Sequence, residues 1–261
     1  APCVGGEPGS YRVFDPACRT ELDRVLRELR MLFRDYTLDG LKMDFLAHVP
    51  TELERPHGRA TWNAIRELST AVHEANPDSL IEFRQFYSTP ATLGLATQFR
   101  ANDTPFDYLE NLHRIAQLRL MLGDGTAVHA DPVYWHPRES ASNVARHMAA
   151  AVAGVPMVSM DLAKLSAKHR EILCDWLAFY RRHQEHFRYG HWTVRYDGSQ
   201  LVTLSVERGR RKIVWLLSAA GLGEAAGAYC VVNPSAETWH LSTGPLAPGC
   251  RFEELPESVV E

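Results

Sequence analysis

Charged side chains recur where apolar runs end. "LDGLKMDF" closes on Lys42 and Asp44, "SLIEFR" on Glu82 and Arg84, "LATQFRAND" on Arg100 and Asp103, "TAVHAD" on His129 and Asp131, and "VPMVSMD" on Asp161. A charged side chain pointing into the interior of a parallel sheet costs several kcal/mol unless it is paired or solvated. A series of them at strand ends therefore marks a wet, functional mouth. Carboxyl groups placed this way invite two chemistries. In one, two of them work on a single bond, one ionised to attack and the other protonated to release a leaving group. In the other, Asp44, Glu82 and Asp103 are hard oxygen ligands for Mg2+, as in enolase-type barrels. Period two puts Lys42 on the same strand face as Asp44, where its charge lowers the carboxyl pKa. Asp107 and Asp161 stand just ahead of helical patterns and read as caps. A zinc set of His48, His129 and Asp131 is a weaker reading, because lone histidines near strand ends mostly make ordinary hydrogen bonds.

Strands and helices alternate to hold these residues. Leu22, Val25, Leu26, Leu29, Leu32 and Phe33 recur at helical spacing, with Asp15-Pro16 or Thr20 as the start. A buried strand follows over 38–46, then a helix through Trp62, Ile65, Leu68 and Val72 that stops before "NPDS". Strands are expected at 79–83, 95–100, 126–131 and 155–160, and helices over 107–122, 140–153 and 166–187. Such alternation implies βαβ crossovers and a parallel sheet. Five strands are fewer than the eight of a closed (β/α)8 barrel, so residues 1–188 read as part of one. After "RYGHWTV" the period changes. "QLVTLSVE", "RRKIVWLLSA" and "AYCVVNP" are β runs with glycine and Asn-Pro breaks, so residues 189–261 read as an antiparallel, sandwich-like β domain.

Composition narrows the partners. The 261 residues carry a formal charge of −4 with a pI near 6.3, no footprint for nucleic acid, and "RGRRK" at 208–212 reads as a solvated hairpin turn. No apolar run reaches the roughly 18 to 20 residues of a membrane helix, so a soluble protein is expected. The five cysteines are scattered without metal-ligand spacing, which favours a reducing, cytoplasmic setting and leaves a Cys3–Cys18 bridge open. The first residues lack a starting Met and a signal-peptide pattern and read as a cut into a longer protein, whose remaining part would be a partner. Self-association is left open.

"LDGLKMDF" resembles the nucleophile strand of the retaining α-galactosidase clan (melibiases, glycoside hydrolase family 36), in which K-x-D ends the fourth barrel strand. "QFRANDTPFD" is similar to the acid/base segment on the sixth, and the separation of the two aspartates is close to what that family shows. The resemblance spans roughly residues 12 to 188, with a β-rich domain following the barrel as in the family. It implies that Asp44 is the nucleophile, Asp103 the general acid/base, and Lys42 a contact to sugar hydroxyls that helps keep Asp44 ionised. It implies an α-linked oligosaccharide or glycoside as substrate and no cofactor, two carboxyl groups and water sufficing. Asp103 would then need a raised pKa to hold its proton. Glu82, Arg84, Arg100, Asp131 and Trp135 are further substrate-binding candidates, the last with Tyr134 as a stacking platform for a sugar face or as core packing. One departure bears on specificity: where many family members have Cys-Ser-Gly-Gly, "EFRQFYSTP" puts bulky Arg84 and Gln85, which leaves the glycone open. A barrel that binds carbohydrate without turnover is the non-enzymatic alternative.

Overall fold

A computed structural model describes residues 14–46, 58–218 and 228–235, and the chain divides into two compact units, Ala1–Phe99 and Arg100–Glu261. In the first, helix α1 (Arg19–Asp35) buries Leu22 and Leu26 one turn apart. Its outer face carries the i,i+4 ion pairs Arg19–Asp23 and Arg24–Glu28, which at such exposure add little to stability. Helix α2 (Gly58–Ala75) packs against it through a stripe of Ala64, Ile65, Leu68, Ala71 and Val72. Strands β1 (Gly40–Met43) and β2 (Leu80–Arg84) pair in parallel, with Lys42 opposite Glu82 and Met43 opposite Phe83. Gly40 is required there: a Cβ at this position would stand 2.1 Å from the Leu80 carbonyl oxygen. The amide of Asn76, where α2 gives way to Pro77, donates to the Leu38 carbonyl at 3.2 Å and ties the helix end to the start of β1.

Strand β3 (Gln98–Arg100) follows, and the two units divide inside it. The parallel four-strand sheet runs in the order β1-β2-β3-β4, with β4 at Ala127–His129. In the second unit the Ala101 N–H donates to the His129 carbonyl at 3.0 Å. Helix α3 (Tyr108–Leu122) is capped by Asp107, whose carboxylate accepts the Glu110 N–H, and Asp161 caps the short turn at Leu162–Lys164 in the same way. Both aspartates thus take the capping role their sequence positions suggest. Ser140 and Ser166 cap α4 (Ala141–Ala151) and α5 (Ala167–Arg182).

Three elements differ from the sequence expectation. Residues 155–160 do not form a fifth strand; they run beside β4 through two isolated parallel bridges, His129–Val155 and Val133–Val158. Pro156 has no N–H to donate and Pro132 none on the facing segment, so the ladder is interrupted. The helix expected over 166–187 breaks at His183, whose N–H reaches back to Phe179 and Tyr180, and resumes as α6 (Gln184–Tyr189). The turn brings Phe187 against Trp192 and Trp215, with ring centroids 6.3 and 6.0 Å away. The second sheet, β5 (His191–Asp197), β6 (Gln200–Arg208), β7 (Arg211–Leu216) and β8 (Ala228–Val232), is mixed instead of antiparallel: β8 lies parallel to β7. "RGRRK" is the expected hairpin turn, Arg208 opposite Arg211 with Gly209 at φ 63°. Among the described residues no helix is long and apolar enough to cross a membrane.

Candidate active site

In the first unit the site is built at the end of β1. Asp44 leaves the strand, and the next residue, Phe45, turns the backbone sharply at φ 58°. For a bulky residue this left-handed conformation costs about 1–2 kcal/mol. Its N–H donates to Asp44 Oδ1 at 2.9 Å. Asp44 Oδ2 meets two cations, Lys42 Nζ at 3.0 Å and Arg84 Nη1 at 3.5 Å. Partial burial pushes the Asp44 carboxyl up, but the hydrogen bonds from Lys42 and the Phe45 N–H and the charges of Arg84 and Lys42 outweigh it, so its pKa lies below the ordinary carboxylate value. Asp44 is thus held ionised while its side chain stays 31% exposed.

Neighbours on β2 and beyond hold this arrangement. Arg84 is buried where the sequence suggested a bulky intrusion, and Ser88 Oγ donates to its carbonyl at 2.7 Å. Glu82 is buried opposite Lys42 and faces the Gln98 amide at 3.5 Å, among polar neighbours and away from open solvent. The Tyr87 hydroxyl donates to the Met43 carbonyl, fixing the residue that precedes Asp44, and burial pushes this phenol well above its usual range.

The second unit presents a different group. Arg100, with a side chain 6% exposed, spreads its guanidinium between two carboxylates: Nη1 donates to Asp131 Oδ1 at 3.1 Å and Nη2 to Asp103 Oδ1 at 2.5 Å. Asp103 itself is 65% exposed. Asp131 and Trp135, two of the expected substrate contacts, are both buried. Asp131 is 2% exposed, and its Oδ2 accepts the Thr104 N–H at 2.6 Å; its carboxylate serves the loop. Trp135, 1% exposed, is packed between the rings of His147 and His169, leaving no face open for stacking. Tyr134 is 40% exposed and meets Phe106 edge to face at 5.2 Å, so the open aromatic surface lies one residue earlier than Trp135.

Sequence reasoning missed four residues that shape these groups: Phe45, Tyr87, Asn111 and Phe106. Asn111 interrupts the apolar face of α3 next to Leu112 and Ile115 and is fully buried, a polar residue in a core stripe that could have drawn attention. Nothing in the sequence announces the positive φ of Phe45. Of the zinc set, His48 lies outside the described residues, as does Cys3 of the bridge left open. Among the described residues no three His, Cys, Asp or Glu side chains gather as a metal ion would need.

No protein-family profile matches the chain, and no curated protein matches it significantly. Among solved structures it is similar to GH36 α-galactosidases of Geobacillus stearothermophilus. A variant of AgaA in complex with raffinose matches at 15% identity with a TM-score of 0.58, and a variant in complex with stachyose matches equally. AgaB matches at 15% identity with a TM-score of 0.54. These matches cover 78% of this chain but only 31% of AgaA and 30% of AgaB. At such identities the likeness is one of fold: over most of its length, the chain is built like a part of a GH36 α-galactosidase.

Proposed function

We propose that the chain is part of a retaining α-glycoside hydrolase of the α-galactosidase type, with residues 1–188 belonging to a (β/α)8 catalytic barrel and 189–261 to a C-terminal β domain. The observation that carries the reading is the grip of Lys42 and Arg84 on Asp44 at the end of β1. The fold likeness supports it, as does the binding of raffinose and stachyose by the AgaA variants.

Asp44 attacks the anomeric carbon as the bond from that carbon to the leaving oxygen breaks, and Asp103 gives its proton to that oxygen. Water then attacks the anomeric carbon of the glycosyl-enzyme, passes its proton to the Asp103 carboxylate, and the bond to Asp44 breaks. Lys42 and Arg84 offset the charge on Asp44 before attack and again as it departs. No metal or organic cofactor enters either step.

The test is hydrolysis of a panel of p-nitrophenyl α-glycosides by the full natural protein, wild type against Asp44→Asn. The amide cannot attack, so turnover of the α-sugar that is cleaved should fall on the order of ten-thousandfold with the fold intact by circular dichroism. A variant keeping a tenth or more of the rate would remove Asp44 from the nucleophile's role.

A further inference from the structure

Asp131 is almost fully buried, lies 28 positions beyond Asp103, and makes contacts unlike those of a substrate-binding carboxylate. Its Oδ1 accepts from Arg100 Nη1 and its Oδ2 from the Thr104 N–H. Its own backbone is held at both ends by one side chain: the Asn111 amide donates to the Asp131 carbonyl at 3.1 Å and accepts the Asp131 N–H at 3.0 Å. Asn111 therefore serves residue 131 as a neighbouring strand would. Asp131 in turn holds both the guanidinium that grips Asp103 and the backbone immediately after it. Nearby, the Tyr134 N–H donates to the Pro105 carbonyl at 3.0 Å, joining the same two loops a second time.

We infer that Asp131 is a positioning residue: through Arg100 and the Thr104 N–H, and anchored by Asn111, it fixes where the Asp103 carboxyl stands. The inference rests on the reading of Asp103 as general acid/base. Geometry makes the device specific. An arginine has two prongs in a rigid fork, so with Nη1 locked on Asp131 the direction of Nη2, and with it the place of Asp103 Oδ1, is determined. A lysine could satisfy one carboxylate or the other but not set the angle between them. The two acceptor demands on Asp131 also exclude an amide. Whichever way an asparagine turned, its NH2 would face a donor, either Arg100 Nη1 or the Thr104 N–H.

A general acid matters only where the leaving oxygen needs a proton, and this separates positioning from mere structural support. The experiment compares kcat/KM of the full natural protein on the phenyl α-glycoside, a poor leaving group, and the 2,4-dinitrophenyl α-glycoside, a good one, of the sugar that the panel above shows to be cleaved, for wild type, Asp131→Asn and Asp103→Ala. Asp131→Asn should lose about ten- to a hundredfold on the phenyl substrate and less than about threefold on the dinitrophenyl one, since a displacement near 1 Å suffices for a loss of that size. Asp103→Ala should show the same pattern, more steeply. If Asp103→Ala shows it and Asp131→Asn loses equally on both substrates, or on neither, the positioning role is overturned while the acid/base reading stands. If Asp103→Ala shows no dependence on leaving group, or wild type cleaves neither substrate, the reading falls and the inference with it. Should Asp131→Asn fail to fold by circular dichroism, Arg100→Lys takes its place: the same leaving-group pattern supports the device, and a uniform loss overturns it.

Discussion

At the scale of single residues, the informative contrast is between the two aspartates proposed for catalysis. Asp44 has two cations and a backbone N–H around a carboxylate 31% exposed, while Asp103 pairs with the Arg100 guanidinium and is largely open to water. For Asp44 the balance can be tested through Lys42. Burial alone would raise the Asp44 pKa; the Lys42 hydrogen bond is the largest of the effects that bring it below the ordinary value. Taking Lys42 away leaves burial opposed only by Phe45 and Arg84, so the folded-state pKa rises and the ionised fraction at acidic pH falls. Lys42→Met should therefore move the acidic limb of the kcat/KM profile to higher pH. It should also lower kcat/KM at the optimum about ten- to a hundredfold, which corresponds to roughly 1.5–3 kcal/mol from a charge-assisted hydrogen bond. An acidic limb that stays in place would mean that Lys42 does not govern Asp44.

At the scale of elements, the first unit depends on how closely β1 approaches β2. The start of β1 passes so near Leu80 that only a hydrogen fits on Gly40. Gly40→Ala must push the strands apart at the pair that begins the Lys42–Glu82 register, with overpacking on backbone atoms that have no rotamer to escape into. The expected cost is about 2–3 kcal/mol, read as a lower urea midpoint with an unchanged slope. Equal midpoints would show that the strands can separate cheaply. The same unit absorbs a second irregularity, the left-handed Phe45, just where β1 ends. A strand that continued straight would carry Phe45 onward in extended form. The turn instead lets the Phe45 N–H fold back onto the Asp44 side chain.

At the scale of the whole molecule, each unit has its own means of holding together. In the second, the turn after α3 is fastened to β5: Asp124 accepts the Trp192 N–H and pairs with His191 Nδ1, both at 2.7 Å. The buried Arg119 guanidinium lies 4.1 Å from the Trp192 ring centroid and donates to the Thr126 carbonyl. Burial there lowers the Arg119 pKa to about 10, still well above neutrality, so the charge is kept and shared with the indole face. Asp124 is raised by burial but brought lower overall by the Trp192 N–H, His191 and Arg119. A carboxyl with a depressed folded-state pKa adds stability above its unfolded pKa and loses it as pH falls through the folded value. Asp124→Asn should therefore destabilise the protein at neutral pH by about 1 kcal/mol or less, given the screening at a carboxylate 43% exposed. The difference from wild type should shrink in acid below the ordinary carboxyl range. A gap between the two melting curves that is constant with pH would assign the effect to geometry alone.

The sequence by itself determined the alternation of strands and helices, the caps at Asp107 and Asp161, the hairpin at Gly209, and the pairing of Lys42 with Asp44, because each depends on residues within about a turn or a strand of one another. It did not determine what the chain does at Pro156 and His183, or that β8 would lie parallel to β7. A broken ladder, a helix break that seats Phe187 and a strand direction all depend on partners far along the chain. The fates of Asp131 and Trp135 were likewise decided by the tertiary structure. Both occupy strand-end or loop positions suited to touching a ligand, and burial against Arg100, Asn111, His147 and His169 turns them inward. Local pattern fixes which residues reach the end of a strand. Which of them face the solvent and which support their neighbours is fixed only when the loops pack.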